Sequence, residues 1–153
     1  MKKIGYTSSI DPEKSAKAIG RELPISSKAS VEVCRSVRGK MVEDAVKFLE
    51  DVIALKRPVS YHKHRGEVGH RKGKKFGPGR YPKKTAQAIL DVIRHAQHNA
   101  EYKGLDSENM RIVHVSSSKG MKTEGFMPRA HGSSSPFNHE TANIEVVLEV
   151  VEE

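Results

Sequence analysis

Eight histidines, one cysteine and a glycine-rich basic stretch are the parts of this 153-residue sequence best suited to chemistry. His62 and His64 flank Lys63, and His70 follows. A zinc ion needs about four ligands drawn from neutral imidazoles, thiolates and carboxylates. Here the histidines sit among cations that repel a dication, Glu67 is the only nearby acid, and there is no second cysteine. His95 and His98 share a helix side and read as an outward-facing pair, while His114, His131 and His139 show no ligand spacing. "GKKFGPGR", Gly73 to Arg80, matches a phosphate loop only in its glycines; the Lys-Ser/Thr ending and the preceding strand are missing. Its backbone could still lie close to nucleic-acid phosphates. Cys34 falls on an apolar helix face and reads as an inert thiol. No Ser–His–acid or paired-carboxylate constellation stands out. The expectation is no catalytic residue, no metal and no cofactor. A metal-dependent nuclease built on His62–His70 is the rival enzyme reading.

Charge gives the stronger signal. The net charge is +8, and the stretch from 57 to 84 holds ten bases and one acid, Glu67. Those bases are Arg57, Lys63, Arg65, Arg71, Lys72, Lys74, Lys75, Arg80, Lys83 and Lys84. Of the 27 bases and 19 acids in the chain, the remainder then holds 17 and 18, so all the excess positive charge lies in one stretch. Self-repulsion opposes its compaction unless a polyanion accepts it, and nucleic acid is the polyanion this footprint fits. A solvated basic loop is the plain alternative. A single cysteine permits no internal disulfide and agrees with a reducing, cytoplasmic setting. The first residues lack an apolar signal core, and the run "IEVVLEVV" is broken by glutamates, so no membrane span is expected.

The elements that must position these residues read as one domain over 1–153. Residues 1–17 are polar and read as irregular, and Ala18–Pro24 as a short edge strand. A helix capped by Ser26 or Ser27 puts Ser30, Val33, Cys34 and Val37 on one face and stops at Gly39. A second helix carries Val42, Ala45, Val46, Leu49, Val52 and Ile53 as its stripe. From Arg57 to Pro82 there are five glycines, three prolines and no periodicity, which reads as a long loop that orders on RNA. The strongest helix follows Pro82, buries Ala86, Ile89, Leu90, Ile93, Ala96 and Ala100, and ends at Gly104. Met110–Ser116 and Asn143–Val151 read as antiparallel strands. In the second, Ile144, Val146, Leu148 and Val150 face the core, and Glu145 and Glu149 face water. The fold class is α+β: three helices packed on a small antiparallel sheet, with a long extended β-hairpin.

That hairpin, about 117–142, is far longer than a turn requires. An arm of about fifteen extended residues reaches roughly 50 Å. A two-stranded ribbon without its own core is marginal in water and needs outside support. Lys119, Lys122 and Arg129 can contact phosphates, Gly120, Gly125 and Gly132 permit close approach, and "AHGSSS" offers only small or weakly polar groups near the tip. A mobile loop is the plain alternative.

Four pieces in order carry a family resemblance from about Ala18 to Val151. "ISSKASVEVCRSVRGK" with its Arg38-Gly39-Lys40 ending, "NAEYKGLD" at the end of the long helix, "FMPRAHG" and "ETANIEVVLEV" are similar to the universal large-subunit ribosomal protein L-twenty-two family in its archaeal form. The stretch from His62 to Tyr81 resembles the insertion of its archaeal and eukaryotic members. The resemblance implies a structural constituent of the large ribosomal subunit. Such a protein binds 23S rRNA, bridges rRNA domains during assembly and lines the nascent-peptide exit tunnel with its hairpin tip. Its implied partners are that rRNA, other large-subunit proteins and the nascent polypeptide, with no membrane and no homo-oligomer. Lys28, Arg35, Arg38 and Lys40, with the basic insertion, would bind rRNA. Met127, Pro128, Arg129, Ala130, His131, Gly132, Ser133, Ser134 and Ser135 would form the tunnel segment. The family pattern is more basic after Pro-Arg-Ala. Here His131, Ser133–Ser135, Glu140 and Ala142 stand in those places, so Phe126, Phe137, Asn138 and His139 would stack or hydrogen-bond instead. A free-standing RNA-binding chaperone is the second rival.

Overall fold

The computed structural model describes residues 5–8, 10–11, 13–73, 76–107 and 109–151. A three-stranded antiparallel sheet has the order β1-β7-β4, with β1 at Ser15–Leu23, β4 at Met110–Thr123 and β7 at His139–Val150. Helices α1 (Ser27–Val37), α2 (Val42–Ile53) and α3 (Lys83–Tyr102) bury their stripes against one face of it. Ser26 caps α1 by accepting from the Ala29 amide at 3.4 Å. Gly39 follows the helix at φ 76°, a left-handed angle that a side chain resists. Its amide donates to the Ile112 carbonyl at 2.9 Å, and the Lys40 carbonyl accepts from the Ile112 amide at 2.9 Å. The α1–α2 connector is thereby stitched to β4.

Strand β1 starts at Ser15, three residues before the expected edge strand, because pairing to Glu149, Leu148 and Val147 outweighs its weak local preference. It ends in a bulge between Gly20 and Leu23, where Glu22 sits at φ 52° and donates its amide to Asn143 Oδ1 at 2.8 Å. The expected wet face of β7 is the larger departure. Glu145 is only 6% exposed. The amide and hydroxyl of Thr7 each donate to its carboxylate at 2.8 Å, and Lys17 Nζ donates to the Ile10 carbonyl at 3.2 Å. The N-terminal segment therefore lies over the second face of the sheet. Period-two alternation signals two unlike faces, not what covers the second one.

The stretch from Arg57 to Pro82, expected to lack regular structure, carries the ribbon β2 (Val59–Ser60) and β3 (Gly79–Arg80) and a bridge between His70 and Pro78. Val59, Tyr61 and Val68 are buried and belong to the core. Beyond the core, β4 and β7 stay paired out to Thr123 and His139. β5 (Phe126–Pro128) then pairs with β6 (Ser134–Pro136) around a 3-10 turn at Ala130–Gly132. A Cβ on Gly125 would meet the Phe137 carbonyl oxygen at 2.6 Å, so glycine is needed where the two strands close up again.

Candidate nucleic-acid interface

The cations expected to act together arrive from three elements. Lys28 starts α1, Lys63 leads out of β2 and Lys119 lies on β4, and all three line one hollow with His64. Glu140 is the acid in that hollow and accepts from the Ser27 hydroxyl at 3.4 Å. Lys28 also lines a neighbouring cleft of about 570 Å³ with Arg80, Lys83 and Lys84 at the start of α3. The basic stretch, the helix N-termini and the hairpin base thus form one positive surface. Arg35 is exposed on α1, seven residues past Lys28 and so about 10 Å further along the axis.

The backbone of the basic stretch is held by a residue that reading the sequence passed over. Glu32 is fully buried, and its carboxylate accepts amide hydrogens from His62 at 3.1 Å, Lys63 at 2.7 Å and His64 at 2.9 Å. Burial pushes this carboxyl up, but the three amides, with His62 nearby, outweigh it and hold the group below the ordinary glutamate range. A single acid inside the basic run of α1 was the available signal. Its one-residue offset from the apolar stripe hid it.

A second cluster sits at the far end of α1. Lys40 Nζ lies 4.2 Å and the Arg57 guanidinium 5.0 Å from the centre of the Phe48 ring. Burial and the neighbouring Arg57 pull Lys40 below the usual lysine value, against Asp44. Two cations on one ring are partly stabilised by its π-face and still repel each other, an arrangement that an anion relieves. Phe48 also fits the α2 stripe by spacing, so it was legible and missed. Arg38 is committed inward in part, donating Nη2 to the Val115 carbonyl at 2.9 Å. Arg65, Arg71 and Lys72 are exposed, while Lys74 and Lys75 fall outside the described residues. Arg71 lies 5.2 Å over the Tyr81 ring and donates Nε to the Gly79 carbonyl at 2.9 Å.

On the hairpin, Lys122 meets Glu124 at 3.7 Å with both side chains well exposed, a contact of little energetic weight. Arg129 reaches across the tip to the Ser135 hydroxyl at 3.2 Å, and its amide donates to the Ser133 carbonyl at 2.8 Å. His131 takes φ 59°, which turns the tip together with Gly132 at φ 73°. Met127 to Ser134 are all exposed and Ser135 is half-buried. Phe126 is 71% and Phe137 49% exposed, and Phe137 packs edge-on against His139 at 5.0 Å. Aromatic surface of this kind, on an arm with no core beneath it, suits stacking on unpaired bases.

Among the described residues, no three His, Cys, Asp or Glu side chains come together as a metal group. Cys34 is buried and its thiol is pushed up to about 12, so almost none is thiolate near neutrality. Iodoacetamide at pH 8 should leave Cys34 unlabelled in the folded chain and label it fully in denaturant. Mass spectrometry reads the difference, and rapid native labelling would contradict the buried assignment.

No described helix is long and apolar enough to cross a membrane. Residues 18–149 match the family model for ribosomal protein L22p/L17e. The chain is 51% identical over 150 residues to the large ribosomal subunit protein uL22 of Methanocaldococcus jannaschii, covering 97% of this chain and 96% of that one. It is 48% identical over 141 residues to the uL22 of Archaeoglobus fulgidus, covering 92% and 91%. The Methanococcus vannielii protein of the same name is 50% identical over 151 residues, covering 97% and 98%.

Proposed function

Because the chain belongs to the ribosomal protein L22p/L17e family, in its archaeal form, we propose that it builds the large ribosomal subunit by binding rRNA and lines the nascent-peptide exit tunnel with its hairpin tip. The family is structural, and the chain is not an enzyme. The observation that carries the rRNA reading is the pooling of Lys28, Lys63 and Lys119 where helix, basic stretch and hairpin base meet. Such a surface displaces counterions from packed phosphates and lets RNA segments approach one another. Phosphate contacts of this kind position the protein without reading base sequence, so RNA shape supplies the selectivity. Other large-subunit proteins and the growing polypeptide complete its partners, in the cytoplasm.

The tunnel role rests on the exposed arm. Residues 126–134 are solvent-facing and the tip from Ala130 to Ser135 carries only small or weakly polar groups, which suits a wall past which a chain must slide. A photoreactive side chain placed at His131 should crosslink to nascent polypeptide in translating ribosomes and to no polypeptide in ribosomes emptied by puromycin. A protein found in the large subunit that gives no such adduct would remove the tunnel role and leave rRNA binding standing.

A further inference from the structure

The hollow where α1, the basic stretch and the hairpin base meet contains an unanswered hydroxyl. Ser117 Oγ is buried and has no hydrogen-bond partner among the described residues. Strand register puts this side chain on the α1 side of the sheet. Ser117 sits opposite Ile144, whose side chain belongs to the core beneath the helices. On that side it lines the hollow together with Ser27 and Val31 of α1. A buried hydroxyl without an acceptor is costly, and an incoming oxygen acceptor would remove that cost.

The rest of the lining says which acceptor fits. Lys28, Lys63 and Lys119 border the hollow, and among the described residues none of the three has a carboxylate within ion-pair distance. Their backbones are fixed before any ligand arrives. Lys28 lies in the first turn of α1, the Lys63 amide is held by Glu32 at 2.7 Å, and Lys119 pairs with the buried Ala142. One anion already stands at the rim. Glu140 lines the hollow, and its carboxylate accepts from the Ser27 hydroxyl at 3.4 Å, a long and exposed bond that another anion can replace. We propose that this hollow seats one phosphate group of an RNA backbone, with Ser117 donating from its floor, and that Glu140 is the internal anion the phosphate displaces. Three ammonium groups against one carboxylate leave the site positive, and phosphate offers several oxygens to lysines and hydroxyl at once. One rotation about χ1 turns the Ser117 hydroxyl to the entering group. Glu140 stands on β7 opposite Lys122 at the root of the arm, so its displacement also removes a bond between the arm and α1. The inference rests on the rRNA-binding reading and gives that surface a seat and a competitor for it.

Two charge-matched variants of the full-length chain make the test. Glu140→Gln and Glu124→Gln each remove one exposed carboxylate from the hairpin, so their long-range effect on a polyanion is alike. Against a short RNA hairpin at low salt, Glu140→Gln should bind about fivefold tighter than the wild type, roughly the worth of one improved charged contact, and Glu124→Gln less than about twofold tighter. Adding Lys119→Gln to Glu140→Gln should remove most of that gain, because the two groups act at one place. Ser117→Ala should weaken RNA binding about threefold and leave the thermal midpoint at or above that of the wild type, since no hydrogen bond within the protein is lost. A serine of purely structural importance would lower the midpoint and leave binding unchanged. In isotope-labelled protein, inorganic phosphate and the RNA hairpin should shift the same Ser117 and Lys119 amides. Equal gains in the two glutamine variants, a structural pattern at Ser117, or shifts from the free ion with none from RNA would overturn the phosphate seat while leaving general RNA binding intact. Failure of the wild-type chain to bind RNA would overturn both.

Discussion

Replacing Glu32 with alanine will free the basic stretch from the body of the protein. In the wild type, the amides of His62, Lys63 and His64 are locked onto one fully buried carboxylate. Each is a charge-assisted hydrogen bond, and removing the acceptor strands three donors at once. The expected cost is about 2–4 kcal/mol, less than three full penalties because the freed loop can turn its amides to water. Hydrogen exchange at those three amides should rise by at least about thirtyfold, the equivalent of the lower figure, while the amides of α3 change little. Glu32→Gln keeps one acceptor oxygen and should fall between the two. The pH dependence has a definite sign. The folded carboxyl lies below its ordinary value, so its contribution is complete above the ordinary glutamate range and is lost as pH falls through the lower folded value. Protection at 62–64 should therefore fade in acid in the wild type, and Glu32→Gln should lack this dependence. Unchanged exchange in Glu32→Ala would show that the anchor is unnecessary.

The second large effect concerns affinity. Changing Lys72, Lys74, Lys75 and Arg80 together to glutamine should lower the salt dependence of RNA binding by about three to four units of slope, one per lost phosphate contact. Affinity at low salt should fall most and the difference should narrow as salt rises, because the lost contribution is counterion release. A slope equal to that of the wild type would take this stretch out of the interface. Lys72 and Arg80 are exposed and Arg80 borders the α3 cleft. Two of the four, Lys74 and Lys75, enter on charge alone, as they lie outside the described residues.

What could be read in the chain followed local rules. The three helices, their stripes and their stops came from periodicity and from Ser26, Gly39 and Gly104, since caps and glycines act within a few residues. The β4–β7 pairing came from two β-branched runs. What escaped depends on distant partners. Strand β1 begins earlier than its composition suggests because β7 recruits it, and Glu145 is buried because Thr7 reaches it across 138 positions. Val59, Tyr61 and Val68 join the core from a segment with no period, because a single side chain on α1 holds its backbone in place. The cations were legible as a sum of charge, but that Lys28, Lys63 and Lys119 share one hollow is a property of the tertiary fold. The aromatic support under Lys40 and Arg57 could have been found from the spacing of Phe48 within α2.

An affinity-tagged copy of the chain, followed by sedimentation of a cell extract, tests the central claim most directly. It should travel with the large ribosomal subunit at about one copy per particle, stay there through a wash at moderate salt, and leave only when ribonuclease degrades the particle. Recovery as free protein at the top of the gradient, with or without ribonuclease, would contradict a role as part of that subunit.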